Sequence, residues 1–299
     1  MTTPVHDTLE EARAQLKALA ESARAGTLIP VRLAGQLEAI DALLARAQAE
    51  LPAPTAASAT PTPTDQTELL QEQAKFVSHA VHELRNPLTS VRGYADMLGN
   101  AALGQLNDMQ KQFADTIRAN SRRMEGLLTD VSDTAKIRGG TLKLNTKMDT
   151  FKNIALMVEK ATRPQAEQLN RTLTFDIPSG LPILTTDGEM LAKAFTKLVE
   201  NALRYTPAEG GEVTVSAEAV DNVLVVRVRD NGIGMTPDEL AQLGTVYFRS
   251  ESETVRAFKG SGLGVPVAYG IFRLLGGEVA VESTPGAGTT FTVRLKGMT

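Results

Sequence analysis

At 299 residues the chain has room for two domains and some extra, on a prior of roughly 100–200 residues per domain, and 42% apolar content supports packed cores. The 31 basic and 35 acidic residues give a formal net charge of -4, without the basic excess of a phosphate-tracking surface, so no nucleic-acid partner is expected. The lack of Cys excludes disulfides and thiolate metal sites; no signal peptide opens the chain and no run nears the ~18 apolar residues of a membrane span, which predicts a cytoplasmic protein.

Residues 7–51 are rich in Ala, Leu, Glu, Gln and Arg, which favour helix. Leu33, Leu37, Ile40, Leu44, Ala47 and Leu51 alternate by four and three, the spacing of a coiled-coil seam. Residues 1–51 are therefore expected to form an extra helical N-terminal segment. It is either an input or self-association element or an amphipathic hairpin without a ligand. Residues 52–65, rich in Pro, Ala and Thr, read as an extended, semi-rigid linker.

Helical patterning resumes over 66–98, breaks over 99–107 and returns over 108–137, where Gly139 and Gly140 stop it. On the first helix Val77, Ala80, Leu84, Leu88, Val91, Ala95 and Leu98 collect on one face, with Val81 at its edge. On the second, Phe113, Ile117, Asn120, Met124, Leu127, Val131 and Thr134 form the matching stripe. Residues 66–140 should fold back as an antiparallel hairpin. One hairpin cannot bury its stripes on both sides, so two are expected to pair as a homodimeric four-helix bundle.

Residues 141–299 change to mixed α/β. Strand patterns occur at 141–145, 173–177, 212–219, 222–229, 278–282 and 289–295, and helical ones at 151–169, 188–205, 237–243 and 266–275. No internal repeat is evident.

The segment His82-Glu83-Leu84-Arg85-Asn86-Pro87-Leu88 carries chemistry. His82 falls nearly opposite the apolar stripe, with Asn86 one turn later and Glu83 to its side, so the imidazole is presented to solvent. Pro87 removes a backbone donor inside the helix and frees a carbonyl near Glu83, which predicts a kink. A His-Glu pair alone carries no specific signal. The whole string, on the first helix of a hairpin, resembles the phosphoacceptor box of sensor histidine kinases. The resemblance implies that His82 is phosphorylated, that Glu83 accepts the ring proton and that Asn86 positions water for a reverse phosphatase reaction. His79, three residues earlier, lacks the following acid and is expected to be an ordinary surface residue. A neutral imidazole is a competent nucleophile near pH 7, and a carboxylate can fix its tautomer.

Four further segments lie in the order of this family. Asn201, Arg204 and Tyr205 sit on one helical run; Asn201 offers a neutral oxygen for Mg²⁺, and its neighbours can contact phosphates or sugar. Asp230-Asn231-Gly232-Ile233-Gly234 follows a strand; the carboxylate can accept a hydrogen bond from an exocyclic amine, and the glycines allow close approach. Gly260-Ser261-Gly262-Leu263-Gly264 precedes a helix, so its amides and the helix N-terminus form an anion site. Thr289 enters the last strand and matches a residue near the adenine in the family.

Together these resemble the ATP-binding fold shared by histidine kinases, gyrase, Hsp90 and MutL proteins; no P-loop or Rossmann fingerprint occurs. The implied fold class is an all-α dimeric helical hairpin followed by an α/β two-layer sandwich that binds ATP and Mg²⁺. Residues 236–259 would be a lid over ATP, with Tyr247-Phe248-Arg249 resembling a box that docks on the hairpin and Lys259 reaching a phosphate. Lys197 stands where many relatives carry Asn; it either places a charge on the phosphates or weakens metal binding. The implied activity is autophosphorylation of His82 and transfer to a response regulator, with hinge motion at 138–140. A conformational ATPase and a weakly active scaffold are the competing readings.

Overall fold

The computed structural model describes residues 63–100, 104–252, 255–256, 258 and 260–298. The expected helices of 1–51 and most of the 52–65 linker lie outside the described residues. Helix α1 spans Pro63–Leu98 and α2 spans Asp108–Arg138. The first starts three residues earlier than expected because Pro is tolerated in a first helical turn, where its missing N–H needs no partner. It runs unbroken through Pro87. The second begins with a reciprocal cap: Asn107 Oδ1 accepts from Gln110 N–H and Gln110 Oε1 accepts from Asn107 N–H, both at 2.9 Å. It ends where Gly140 turns left-handed at φ 62° and Thr141 N–H reaches back to Lys136 C=O at 2.9 Å.

The two helices pack as an antiparallel hairpin around a seam that shares Leu88 and Ala95 with the expected stripe and is otherwise shifted to its Val81 edge. Ala74, Val81, Leu88 and Ala95, spaced by sevens, are buried against α2, where Ala114 and Ser121 are the buried partners. Leu84, Val91 and Leu98 from α1 and Phe113, Ile117 and Met124 from α2 are exposed instead. The expected stripes are wider than one helix contact covers, so Leu88 and Ala95 join Ala74 and Val81 in the inner seam while Leu84, Val91 and Leu98 are left as an apolar flank. With about 100° per residue, this flank of α1 lies on the far side of the seam from His82. Arg92 pairs with Glu125, and Arg118 Nε lies 2.9 Å from Asp96 Oδ1. At the open end Gly139 touches α1 so closely that a Cβ there would sit 2.8 Å from Ala74 Cβ.

The rest is a two-layer α/β sandwich. Strands β2 (Thr172–Asp176), β4 (Glu212–Val220), β5 (Val223–Asp230), β6 (Glu278–Thr284) and β7 (Gly288–Lys296) form a sheet in the order β2-β4-β5-β7-β6; only the β2–β4 pair is parallel. A two-stranded antiparallel ribbon pairs β1 (Lys147–Thr150) with β3 (Ile183–Thr186). Residues 141–145, expected as a strand, run extended without a ladder; Asp187 Oδ2 holds Asn145 N–H at 2.8 Å. The two short ribbon strands carry too few apolar residues to show an alternating pattern.

Helices α3 (Phe151–Gln168), α4 (Gly188–Tyr205) and α6 (Gly264–Leu274) cover one face of the sheet. Alternate residues Val213 and Val215, Leu224, Val226 and Val228, and Phe291, Val293 and Leu295 point into this core. Phe195 of α4 joins the three helices: its ring meets Phe151 at 5.4 Å and Phe272 at 5.0 Å, both edge-to-face. A short helix α5 (Pro237–Gln242), opened by a Thr236–Glu239 capping box, lies outside this layer. Among the described residues no helix is long and apolar enough to cross a membrane.

Candidate functional site

The C-terminal part of α4, the β5 exit, the segment before α6 and the start of β7 converge on one cavity of about 450 Å³, within the usual range of roughly 300–1,000 Å³ for small-molecule sites. Asn201, Arg204, Tyr205, Asp230, Gly234, Gly260, Gly262, Gly264 and Thr289, all named from sequence, line it. Gly232 and Leu263 do not. Gly232 supports the site from behind, where its N–H donates to Asp230 and a Cβ would strike Tyr205 C=O at 2.6 Å. Leu263 turns into the core, 1% exposed. Lys259 lies outside the described residues.

Asp230 lines one end, at the exit of β5. Its Oδ1 accepts from Gly232 N–H at 2.8 Å and Thr289 N–H at 3.2 Å, and these two donors fix the carboxyl plane. Burial pushes its pKa up, and the two amides partly oppose the shift. Thr289 is held in turn by Ser283, Oγ to Oγ1 at 2.9 Å. At the other end, the N-cap residue of α6 makes no side-chain cap, so the first amides of that helix remain available to an anion. Gly262, at φ 72°, lies so close to Tyr247 and Phe248 that only glycine fits.

The segment between β5 and α6 is tied down by two side chains. Arg249 donates to the carbonyls of Val255 at 2.9 Å, Phe258 at 2.5 Å and Gly260 at 3.0 Å. Glu239 is held low in pKa, first by a hydrogen bond from the Ser250 side chain and then by Thr236 N–H. Tyr205 stacks edge-on against Phe258 at 5.5 Å. Phe248 and Arg249, expected to dock on the hairpin, line the cavity.

Sequence reasoning missed the hairpin's contribution. Arg123, Gly126, Leu127 and Asp130 of α2 close one side of the cavity. They carry no local signal, because only the docking of α4 and α6 against α2 brings them there. Lys197 Nζ lies 2.8 Å from Asp130 Oδ1, Lys193 pairs with Asp133, and Gly270 of α6 abuts Ile137.

His82, Glu83 and Asn86 are exposed on α1 and are not part of the cavity. His82 Nδ1 stands 3.9 Å from Glu83 Oε1, just beyond hydrogen-bond reach. One turn on, the Thr89 and Ser90 hydroxyls donate to the carbonyls of Arg85 and Asn86 at 2.9 and 3.3 Å.

The residues present suit a magnesium nucleotide. The lining includes the Asp230 carboxyl, the uncapped N-terminus of α6 and the side-chain oxygen of Asn201. Among the described residues no cluster of three His, Cys, Asp or Glu could hold a metal by itself.

Comparison with known proteins agrees with this division. Residues 72–140 match the His Kinase A (phospho-acceptor) domain, and residues 186–298 match the histidine kinase-, DNA gyrase B- and HSP90-like ATPase domain. The histidine protein kinase DivJ of Caulobacter vibrioides is 33% identical over 231 residues, 77% of this chain and 38% of that protein. The cell-division control histidine kinase PdhS of Brucella anthropi is 27% identical over 232 residues, 74% of this chain and 22% of that protein. The chain thus spans about two fifths or less of these relatives. Full-length ShkA in complex with AMPPNP shares the fold at a TM-score of 0.64 and 24% identity, over 76% of this chain and 46% of that one. The Acinetobacter baumannii histidine kinase AdeS does so at 0.51 and 20%, over 73% and 98%. With a phospho-acceptor hairpin followed by an ATPase domain in the same order, the chain belongs to the sensor histidine kinase family.

Proposed function

We propose that the protein is an ATP-dependent protein histidine kinase that phosphorylates His82 and passes the phosphoryl group to an aspartate of a separate response regulator. The observation that carries this reading is the presence, in one chain, of a cavity built for an adenine nucleotide and of a solvent-facing imidazole beside its own carboxylate. ATP enters as substrate. Asp230 takes the exocyclic amine through Oδ2, which leaves the two backbone donors on Oδ1 undisturbed. The amides of 260–264 and the start of α6 hold the phosphates, helped by Arg204, whose Nη1 would lie 3.3 Å from a Cβ on Gly260. Asn201 would hold Mg²⁺, which neutralises charge developing on the phosphates.

In the transfer step His82 Nε2 attacks the γ-phosphorus. The N–P bond forms as the P–O bond to ADP breaks, and the proton on Nδ1 passes to Glu83. Catalysis of this kind rests on positioning and charge neutralisation. Because the cavity faces α2 and not His82, the ATP-binding domain must leave α2 before transfer, turning about 138–140. Asn86, one turn from His82, would position water for phosphatase action on the regulator.

The exposed apolar flank of α1 and α2 supports a homodimer in which two hairpins form a four-helix bundle and both His82 side chains stay outside. The site of action is the cytoplasm, where ATP and the regulator would meet. The test is a time course with γ-labelled ATP and magnesium. Wild type should take up label, whereas His82→Gln and Asn201→Ala should not. Label uptake by His82→Gln equal to wild type would refute the assignment.

A further inference from the structure

Lys197 has two claims on it. Its side chain runs along the first residue of α6, where a Cβ on Gly264 would touch Lys197 Cδ at 3.8 Å, so the ammonium lies beside the phosphate end of the cavity. Yet Nζ is taken by the hairpin: it donates to Asp130 Oδ2 at 3.0 Å and lies 2.8 Å from Oδ1. Asp130 is buried, 7% exposed, and its Oδ1 receives no well-directed hydrogen bond from any group. One turn along each helix, Lys193 of α4 meets Asp133 of α2 in a second pair, which lies outside the cavity. Two ion pairs therefore hold α4 on α2, and one of them uses a cation that lines the cavity beside the start of α6.

We propose that Lys197 is a phosphate ligand held in reserve by Asp130, so that nucleotide binding and docking of the ATP-binding domain on α2 exclude each other. The inference rests on the reading of the cavity as an ATP site. A triphosphate carries several negative charges where Asp130 carries one, and it wins the ammonium. Asp130 is then left buried without its counter-charge, a costly state that separation of α4 from α2 relieves by hydrating the carboxylate. Lys193–Asp133 is broken in the same movement. Substrate thereby frees the domain to seek His82, and a domain without nucleotide stays parked. Thermodynamic reciprocity requires that anything weakening the docked state tighten the nucleotide.

The experiment is calorimetric titration of the full chain with AMPPNP and magnesium, which avoids turnover. Wild-type binding in that titration reports on the ATP-site reading alone. Asp130→Asn and Asp133→Asn should each tighten AMPPNP by at least about fivefold, the lower end of usual coupling between sites. In a Lys197→Gln background Asp130→Asn should have no further effect. Hydrogen exchange supplies the structural readout: AMPPNP should speed exchange in residues 126–137 of wild type. Tightening by Asp130→Asn alone would mean only that a negative charge had been removed near the phosphates, and it would overturn the proposal. So would unchanged or weaker binding in both variants, or slower exchange in α2 with nucleotide.

Discussion

Asp230, the last residue of β5, and Thr289, near the start of β7, face each other as register partners in the antiparallel pair and are joined by a hydrogen bond from the threonine amide to Asp230 Oδ1 at 3.2 Å. The bond orients the carboxyl while leaving Oδ2 for a ligand. It also means that Asn at 230 could keep both backbone donors through its own Oδ1.

Asp230→Asn should therefore separate binding from stability. Its amide would oppose the exocyclic amine, donor against donor, so nucleotide affinity should fall by at least about tenfold for the lost and unpaired contact. Stability should move the other way. The folded pKa of Asp230 is raised above its ordinary 3.8, so as pH climbs from that value through the raised one the folded chain holds a proton the unfolded chain has released. Stability at this site falls through that window. The variant should lose this pH dependence and melt no lower than wild type at pH 7, as differential scanning calorimetry would record.

Glu83→Gln removes the proton acceptor without changing shape. The rate of label uptake on His82 should drop by about 10²–10⁴, the usual contribution of a general base, while AMPPNP binding stays at the wild-type value because Glu83 lies outside the cavity. A parallel loss of nucleotide binding would point to a structural role instead.

The hairpin flank is tested by Leu84→Glu with Phe113→Asp. Both side chains are more than half exposed in a single chain, so the folded hairpin should tolerate them. Two bundled hairpins should not, since charge would be buried in their seam. Analytical ultracentrifugation should show wild-type dimers and variant monomers with unchanged helical circular dichroism.

Gly270→Ala tests the docked arrangement from the α6 side. The new methyl would lie 2.6 Å from Ile137 Cγ2, and overpacking of this kind costs about 1–3 kcal/mol. Because the clash falls between α6 and α2, the loss should appear as faster hydrogen exchange in residues 126–137. The melting temperature of residues 141–299, isolated if they fold alone, should barely change.

Much of this was legible in the sequence because it is local. Gly188–Tyr205 matches its helical pattern to the residue, since a buried face of Leu191, Ala194, Phe195, Leu198 and Ala202 repeats at helical spacing. Glycines at 260, 262 and 264 stood out by their spacing, and they line the cavity, with Gly262 at a φ of 72° that favours glycine. The hairpin seam was legible only in part, at Leu88 and Ala95, because Ala74 and Ser121 make close packing possible by being small and hydrophobic patterning gives such residues little weight. The contacts of Lys193 and Lys197 with Asp133 and Asp130 were illegible, since each joins residues more than fifty positions apart. Nothing in a short window distinguishes such an aspartate from a solvated one.

The proposed reaction requires the phosphoryl group of ATP to come to rest on one imidazole. Its most direct test is phosphorus-31 nuclear magnetic resonance, with phosphopeptide mapping, on the full chain incubated with ATP and magnesium. A single phosphoramidate is expected on Nε2 of His82, stable in alkali and lost in acid. Phosphate on His79, on a hydroxyl side chain, or on no residue of a chain that demonstrably binds ATP would contradict it.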